Sequence, residues 1–336
     1  MRRVTYLIDS PTYGGAEQCV VQLVRGLAGI RPTVLATHPA PERLLAAVRA
    51  AGAPVRVIPP VRGAPAAAAR AVTGAELVHV NLTDPATCAD ALAGAVASGV
   101  PTVADVHMSG ALDPALAPAY QGCAAVLARS RKVADLLAGG YGIAPVVVRN
   151  GVPVGLPAAP RPGGPLRVRA VGRLTAQKGF DLLVEATRRL LAAGLDVEVA
   201  VAGAGRDRDT LVAAAGGLPV RFVGHLDDVP AFLAGADVFC LPSRAEALPL
   251  ALLAAVVAGL PCVAADVGDI AAELGDLVVL VPAEDVDALA AALAGLAGDP
   301  DARLELGRRA REEGVRRFDE RDTVAAVSRV YRSSAT

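Results

Sequence analysis

Val238-Phe-Cys-Leu241-Pro-Ser243-Arg-Ala-Glu246-Ala-Leu-Pro249, continuing through LALLAAVVA to Gly259-Leu260-Pro261-Cys262-Val-Ala264, is the stretch that decides the fold class. From Ala247 to Ala265 it is apolar and long enough to suggest a membrane span. Pro249, Gly259 and Pro261 nevertheless cut it into a helix, a turn and a strand, so it reads as buried core. With Val238 to Leu241 in front, the order becomes strand, loop, helix, turn, strand, as in parallel sheets covered by crossover helices.

The same alternation extends in both directions. In the first half the strand candidates are Val4 to Ile8, Thr33 to Ala36, Val55 to Ile58, Leu77 to Val80, Thr102 to Val106, Ala124 to Leu127 and Val146 to Val148. In the second they are Arg167 to Val171, Val197 to Ala202, Val220 to Val223, Val238 to Leu241, Cys262 to Ala264 and Leu277 to Val281. Most are continuous apolar runs, which burial on both faces requires. Between the halves, Val152 to Pro165 (VPVGLPAAPRPGGP) has neither helical nor strand period and reads as a linker. The prediction is therefore α/β, with two doubly wound Rossmann-like domains at 1–151 and 166–318, and a C-terminal helix in 319–336 that packs back toward the first domain. Two such sheets joined by a hinge present their strand ends across a cleft, where ligands are expected. No short repeat supports a solenoid. The mixed charges of Asp301 to Ser333 read as a solvated helical face.

Composition narrows the function. The 336 residues are 53% hydrophobic and 20% charged, far from the disordered corner. Lys+Arg number 33 against 34 Asp+Glu, a net charge of −1 that supplies no field for a phosphate polymer, so nucleic acid is excluded as a partner. Cys19, Cys88, Cys123, Cys240 and Cys262 form an odd set without a CxxC pair and read as buried free thiols in a reducing cytoplasm. After Met1-Arg2-Arg3 the apolar run is interrupted by Asp9, too soon for a signal-peptide core. Arg43, Arg49, Arg56, Arg62 and Arg70 accumulate with few acids among them, which suits weak peripheral contact with an anionic membrane.

Several strand ends carry candidate chemistry. Gly14-Gly15-Ala16-Glu17 follows the first strand and opens a helix; paired glycines let N–H groups approach an anion, although a plain tight turn explains them equally well. Gly172-Arg173-Leu-Thr-Ala-Gln-Lys178-Gly179 follows a strand in the second half and adds two cations suited to a diphosphate, with a solvated loop as the plainer reading. Gly203-Ala204-Gly205 begins like a dinucleotide fingerprint, but Arg208 stands where the third glycine belongs. Asp207 and Asp209 have metal-binding spacing, yet they open a helix, where acids suit the dipole, and no metal is expected. His107 and His79 each read as ending a strand at the cleft, while His38 and His225 have no such case.

Taken in order, these residues resemble the retaining glycosyltransferases of family 4, which have the two-domain GT-B fold. The resemblance covers almost the whole chain. It runs from Gly14-Gly15-Ala16-Glu17 through His107, Asn150-Gly151-Val152, Gly172-Arg173 and Lys178-Gly179 to Gly203-Ala204-Gly205, Phe222-Val223-Gly224, Ala236-Asp237-Val238, Pro242-Ser243, Glu246, Pro249 and Gly259-Leu260-Pro261. It implies an acceptor-binding N-terminal domain and a C-terminal domain for a nucleotide-sugar donor. Arg173 and Lys178 would hold the diphosphate, and Glu246 would accept from sugar hydroxyls. Backbone N–H groups near Leu248 and Leu250 would assist, Pro249 between them would line the donor site, Gly14, Gly15, Gly172 and Gly203 would admit the phosphates, and His107 would sit near the sugar and the acceptor. The co-substrate is a nucleotide diphosphate sugar, no cofactor is implied, and the acceptor is a small molecule, a glycan or a lipid-linked hydroxyl.

One departure stands out. Where the family pattern has a second glutamate eight positions after the first, this chain has Ala254, and a ribose left without an acceptor loses on the order of 1–3 kcal/mol. Either another acidic residue, Glu273 or Asp269, supplies the contact, or the donor is unusual, or nucleotide binding is weak. The rival readings are a sugar-nucleotide epimerase of the same architecture, for which only Glu246 is an obvious carboxylate, and a non-catalytic sugar-binding protein, which Ala254 favours.

Overall fold

The computed structural model describes residues 1–155, 157–158, 163–226 and 228–334. The chain forms two compact units, one of Met1–Asn150 with Glu320–Thr336 and one of Gly151–Asp319.

The first unit holds β1 (Arg2–Ile8), β2 (Ile30–Thr37), β3 (Val55–Ile58), β4 (Leu77–Leu82), β5 (Thr102–Val106), β6 (Ala125–Ala128) and β7 (Val146–Val147). They pair in parallel in the order β3-β2-β1-β4-β5-β6-β7. Alternate residues of one strand feed separate cores: Leu7, Leu35, Val78 and Val80 lie in one apolar cluster, Tyr6, Ile8, Val34 and Leu77 in another. That two-sided burial is why the strand interiors are mostly apolar on both faces. The helix Glu320–Ser333 adds Val327, Val330 and Tyr331 to the second cluster.

The second unit holds β8 (Leu166–Val171), β9 (Val197–Ala202), β10 (Val220–Gly224), β11 (Val238–Leu241), β12 (Cys262–Ala265) and β13 (Val279–Val281), all parallel, ordered β10-β9-β8-β11-β12-β13. Phe239 and Leu241 face one core, Val238 and Cys240 the other. The deciding stretch folds as read. Pro249 precedes the helix Leu250–Ala258, Gly259 ends it in the left-handed region at φ 79°, and β12 follows. Among the described residues no helix is long and apolar enough to cross a membrane.

The differences from the sequence reading are local. Leu277 and Val278 stay out of β13 because their N–H groups bond back to Leu274 O and close the preceding helix. β4 continues to Leu82, so His79 lies within the strand rather than at its end. Of the linker assigned to 152–165, positions 156 and 159–162 lie outside the described residues. Val152 is buried and bridges Asp319, and the Ala158 N–H donates to Ala258 O, so these two residues are anchored on the second unit.

Candidate active site

Strand order reverses between β1 and β4 in the first sheet and between β8 and β11 in the second. Loops leaving the carboxyl ends of strands flanking such a reversal diverge and leave a crevice for ligand. The second unit builds its polar cluster there. The loop after β8 contains Gly172 to Gly179, and the loop after β11 contains Pro242 to Pro249. They are stapled together: Arg244 N–H donates to Gln177 O at 2.8 Å, Gln177 Nε2 to Ala245 O at 2.8 Å, and the Arg244 guanidinium to Ala176 O at 2.7 Å. Gly179, at φ 65°, leaves room for Pro242 O, which a Cβ would approach to 2.0 Å.

That staple brings Lys178 against Glu246. Lys178 Nζ pairs with Glu246 Oε1, and Ser243 Oγ donates to the same oxygen at 2.7 Å. The two charged side chains are only 14% and 6% exposed, while Glu246 Oε2 takes no partner among the described residues. Arg173 is exposed and donates to Gln177 Oε1 at 3.3 Å. The two cations are therefore unlike: one is an open fork, the other a point charge held in reserve by a carboxylate. Arg173 makes its one side-chain contact in the open, whereas Lys178 is tied into the buried pair with Glu246.

Neighbouring loops brace this cluster. Gly203, at φ 147°, lies so close to Gly172 that a Cβ would come within 1.8 Å of Gly172 O, and Leu174 N–H donates to Ala204 O at 3.0 Å. Behind Glu246, Gly268 at φ 65° leaves space for Glu246 O, and Asp269 N–H donates to Ala247 O at 3.1 Å. Leu248 and Pro249 are buried. Ala254 is half-buried on the helix that starts at Leu250, so Glu246 precedes that helix and the two positions do not share its face. Asp269 and Glu273 are buried beside the start of the next helix. Asp207 and Asp209 lie near Arg206 and Arg208, and among the described residues no three His, Cys, Asp or Glu side chains are grouped as metal ligands.

In the first unit Gly14 caps the helix Gly15–Gly26, and its N–H donates to Glu17 Oε2 at 2.7 Å, a bond that occupies this amide. The turn is otherwise open, since a Cβ on Gly14 would meet only that carboxylate oxygen, at 3.5 Å. His107, just past β5, is 5% exposed and belongs to a cluster the sequence reading missed. Asp105 receives Arg129 Nε at 2.7 Å and a second bond from its Nη2, with both side chains fully buried. Burial raises the Asp105 carboxyl, but Arg129, His107 and His79 together hold it well below its usual range. His107 is pushed down to about 4, chiefly by burial, with Asp105 opposing and Arg129 assisting. All five cysteines are free; burial pushes Cys19, Cys88 and Cys123 up to about 12, so none is a ready nucleophile.

Residues 13–156 match the family described as Glycosyltransferase Family 4, and residues 165–299 match Glycosyl transferases group 1. Glycogen synthase of Mycobacterium tuberculosis is 33% identical over 204 residues, 57% of this chain and 49% of that protein. Phosphatidyl-myo-inositol mannosyltransferase of Mycolicibacterium smegmatis is 33% identical over 162 residues, 46% of this chain and 42% of that protein. The matches thus span about half the length of these curated relatives. Anabaena HepE in complex with UDP-glucose superimposes with a TM-score of 0.83 at 19% identity, covering 99% of this chain and 100% of that one. Sucrose-phosphate synthase of Thermosynechococcus elongatus does so with a TM-score of 0.78 at 18% identity, covering 99% and 98%. Between them the two family matches take in the glycine turn after β1, His107, and the loops that bring Lys178 to Glu246, and the chain belongs to the glycosyltransferases of family 4, with a group 1 C-terminal half and the GT-B fold.

Proposed function

We propose that this protein is a retaining glycosyltransferase that moves a sugar from a nucleotide diphosphate donor to an acceptor hydroxyl. The observation that carries the reading is the convergence of Lys178 and Ser243 on one oxygen of Glu246 at the β8/β11 reversal, with Arg173 open beside it. A diphosphate supplies the anion that Lys178 now finds in Glu246, and Arg173 adds a planar fork. Charge developing on the departing phosphate is met by these cations and by the N–H groups that open the helix Leu250–Ala258, so the reaction proceeds without a metal. Glu246 Oε2 is left to accept from sugar hydroxyls. Structural neighbours crystallised with UDP and UDP-glucose support a nucleotide-sugar donor.

Five free thiols suit a cytoplasmic setting. Arg43, Arg49, Arg56, Arg62 and Arg70 are all exposed in the first unit, which suits a lipid-linked acceptor at an anionic surface. Ala254 favours a second reading, a sugar-binding protein without turnover. Incubation with a panel of nucleotide sugars and candidate acceptors separates the possibilities: a new glycoside supports transfer, a changed sugar nucleotide means epimerase, and no product with any donor rejects catalysis. Activity that persists in EDTA supports the metal-free reading; complete loss that Mn²⁺ or Mg²⁺ restores rejects it.

A further inference from the structure

We propose that Asn81 is a positioning residue for His107: with Asp105 beside it, the Asn81 side-chain oxygen holds the imidazole as its Nε2–H tautomer and leaves Nδ1 as an acceptor for a sugar hydroxyl. The proposal deepens the transferase reading and rests on it for the identity of the hydroxyl, but not for the tautomer.

His107 Nε2 lies 2.9 Å from Asn81 Oδ1 and 3.7 Å from Asp105 Oδ2. An amide oxygen cannot donate, and Asp105 is an anion fixed by two bonds from Arg129, so the nitrogen facing them carries the hydrogen. Arg129 also balances Asp105 without help, and no second cation is called for in a cluster that is almost fully buried. The depressed basicity of His107 agrees with a neutral ring. A neutral imidazole has one N–H, which leaves Nδ1 bare.

His79 supplies the internal comparison. Its Nε2 lies 3.2 Å from the same Asp105 oxygen, and its Nδ1 meets the Tyr331 hydroxyl at 2.8 Å. The two rings thus turn the same nitrogen toward Asp105, His79 Nε2 without a hydrogen bond, but only His79 has its Nδ1 satisfied; His107 Nδ1 takes no partner among the described residues. Of the remaining groups around the cluster, Arg129 Nη1 and the Tyr6 hydroxyl take no hydrogen-bond partner among the described residues, and the others are paired or neutral. Cys19 Sγ donates to Asn150 Oδ1 at 3.3 Å, and burial raises both Tyr6 and Tyr331. Register explains the construction: Asn81 on β4 is the pairing partner of Asp105 on β5, and His107 follows Asp105 by two, on the same face. A bare nitrogen there accepts from O–H and has nothing to offer a phosphate, so this position reads a hydroxyl, on the donor sugar or on the acceptor.

The test is imidazole ¹H–¹⁵N correlation spectroscopy of the whole protein with labelled histidine, at neutral pH. There are four histidines, and His107→Gln assigns the signal. The expected wild-type pattern is Nε2 protonated and Nδ1 bare; a protonated Nδ1 overturns the proposal whether or not any transfer is ever found. Asn81→Leu, close in volume but without the acceptor, should let the Nδ1–H tautomer appear, while the His79 signal reports that the fold persists. With the donor identified by the transfer assay, the same variant should raise KM about fivefold to tenfold, for the donor if the hydroxyl is the sugar's and for the acceptor if it is the acceptor's. An unchanged tautomer together with unchanged KM values overturns the positioning role.

Discussion

Replacing Lys178 by Ala separates the chemical role of the cation from its structural one, and Arg173→Ala is the control. In Lys178→Ala the Glu246 carboxylate, 6% exposed, loses its counter-charge and keeps only the bond from Ser243 Oγ at 2.7 Å. Truncating one partner of a fully dry ion pair costs about 3–5 kcal/mol, and the remaining hydroxyl bond and slight exposure bring this to about 2–3 kcal/mol. For a domain of this size that is a fall in Tm of roughly 5–10 °C. Arg173 is exposed, with one long bond to Gln177, so its loss should leave stability within about 0.5 kcal/mol. Both variants should lose about 10²–10³ in transfer rate, the usual effect of removing a donor aimed at developing charge. Urea denaturation and initial-rate measurements on the same preparations give both numbers. A Lys178→Ala protein as stable as wild type would refute the buried-pair reasoning, and wild-type turnover in either variant would remove the diphosphate role. Lys178→Met with Glu246→Gln should regain most of the stability and none of the activity.

Gly203→Ala should destabilise the second unit by about 3–5 kcal/mol, since φ 147° is strained for alanine and its Cβ would meet Gly172 O at 1.8 Å; a shift under 1 kcal/mol in denaturant contradicts the close loop packing. The first unit should weaken in mild acid. His107 is held near pKa 4 in the fold and about 6.5 when unfolded, so the unfolded chain gains the proton first. Stability is therefore intact above pH 6.5 and falls by about 3 kcal/mol as pH drops toward 4. Denaturation at a series of pH values should show that slope, His107→Gln should flatten it, and equal slopes would exclude His107 as its source. Ala254→Glu should tighten nucleotide affinity more than tenfold if the position is a missing ribose contact, and weaker binding by calorimetry rejects that idea.

The fold was legible because both-face burial writes itself as apolar runs, and Gly and Pro mark their ends; Val238 to Leu241 and Cys262 to Ala264 need no partner to be recognised. Arg173, Lys178 and Glu246 were legible as charges in loops that follow strands. The cluster behind His107 was not. Asp105 sits within Thr102–Val106 and Arg129 directly after Ala125–Ala128, 24 positions apart, and only the sheet brings them together. An acid inside a fully buried strand was the available signal, because such a charge survives only with a partner. Ser243 and Gly268 were hidden for a similar reason: their importance lies in what they touch, Glu246 Oε1 and Glu246 O, and no spacing announces it.

The transferase reading requires that the loops after β8 and β11 hold a diphosphate. Calorimetric titration of the wild-type protein with a nucleoside diphosphate and with the matching monophosphate, for each common base, tests it directly. For one base the diphosphate should bind at a single site at least tenfold tighter than the monophosphate, the contribution of about 1.5–3 kcal/mol expected from a charge-assisted contact to the second phosphate. Equal affinity for the two, or no binding of any nucleotide, would contradict the account.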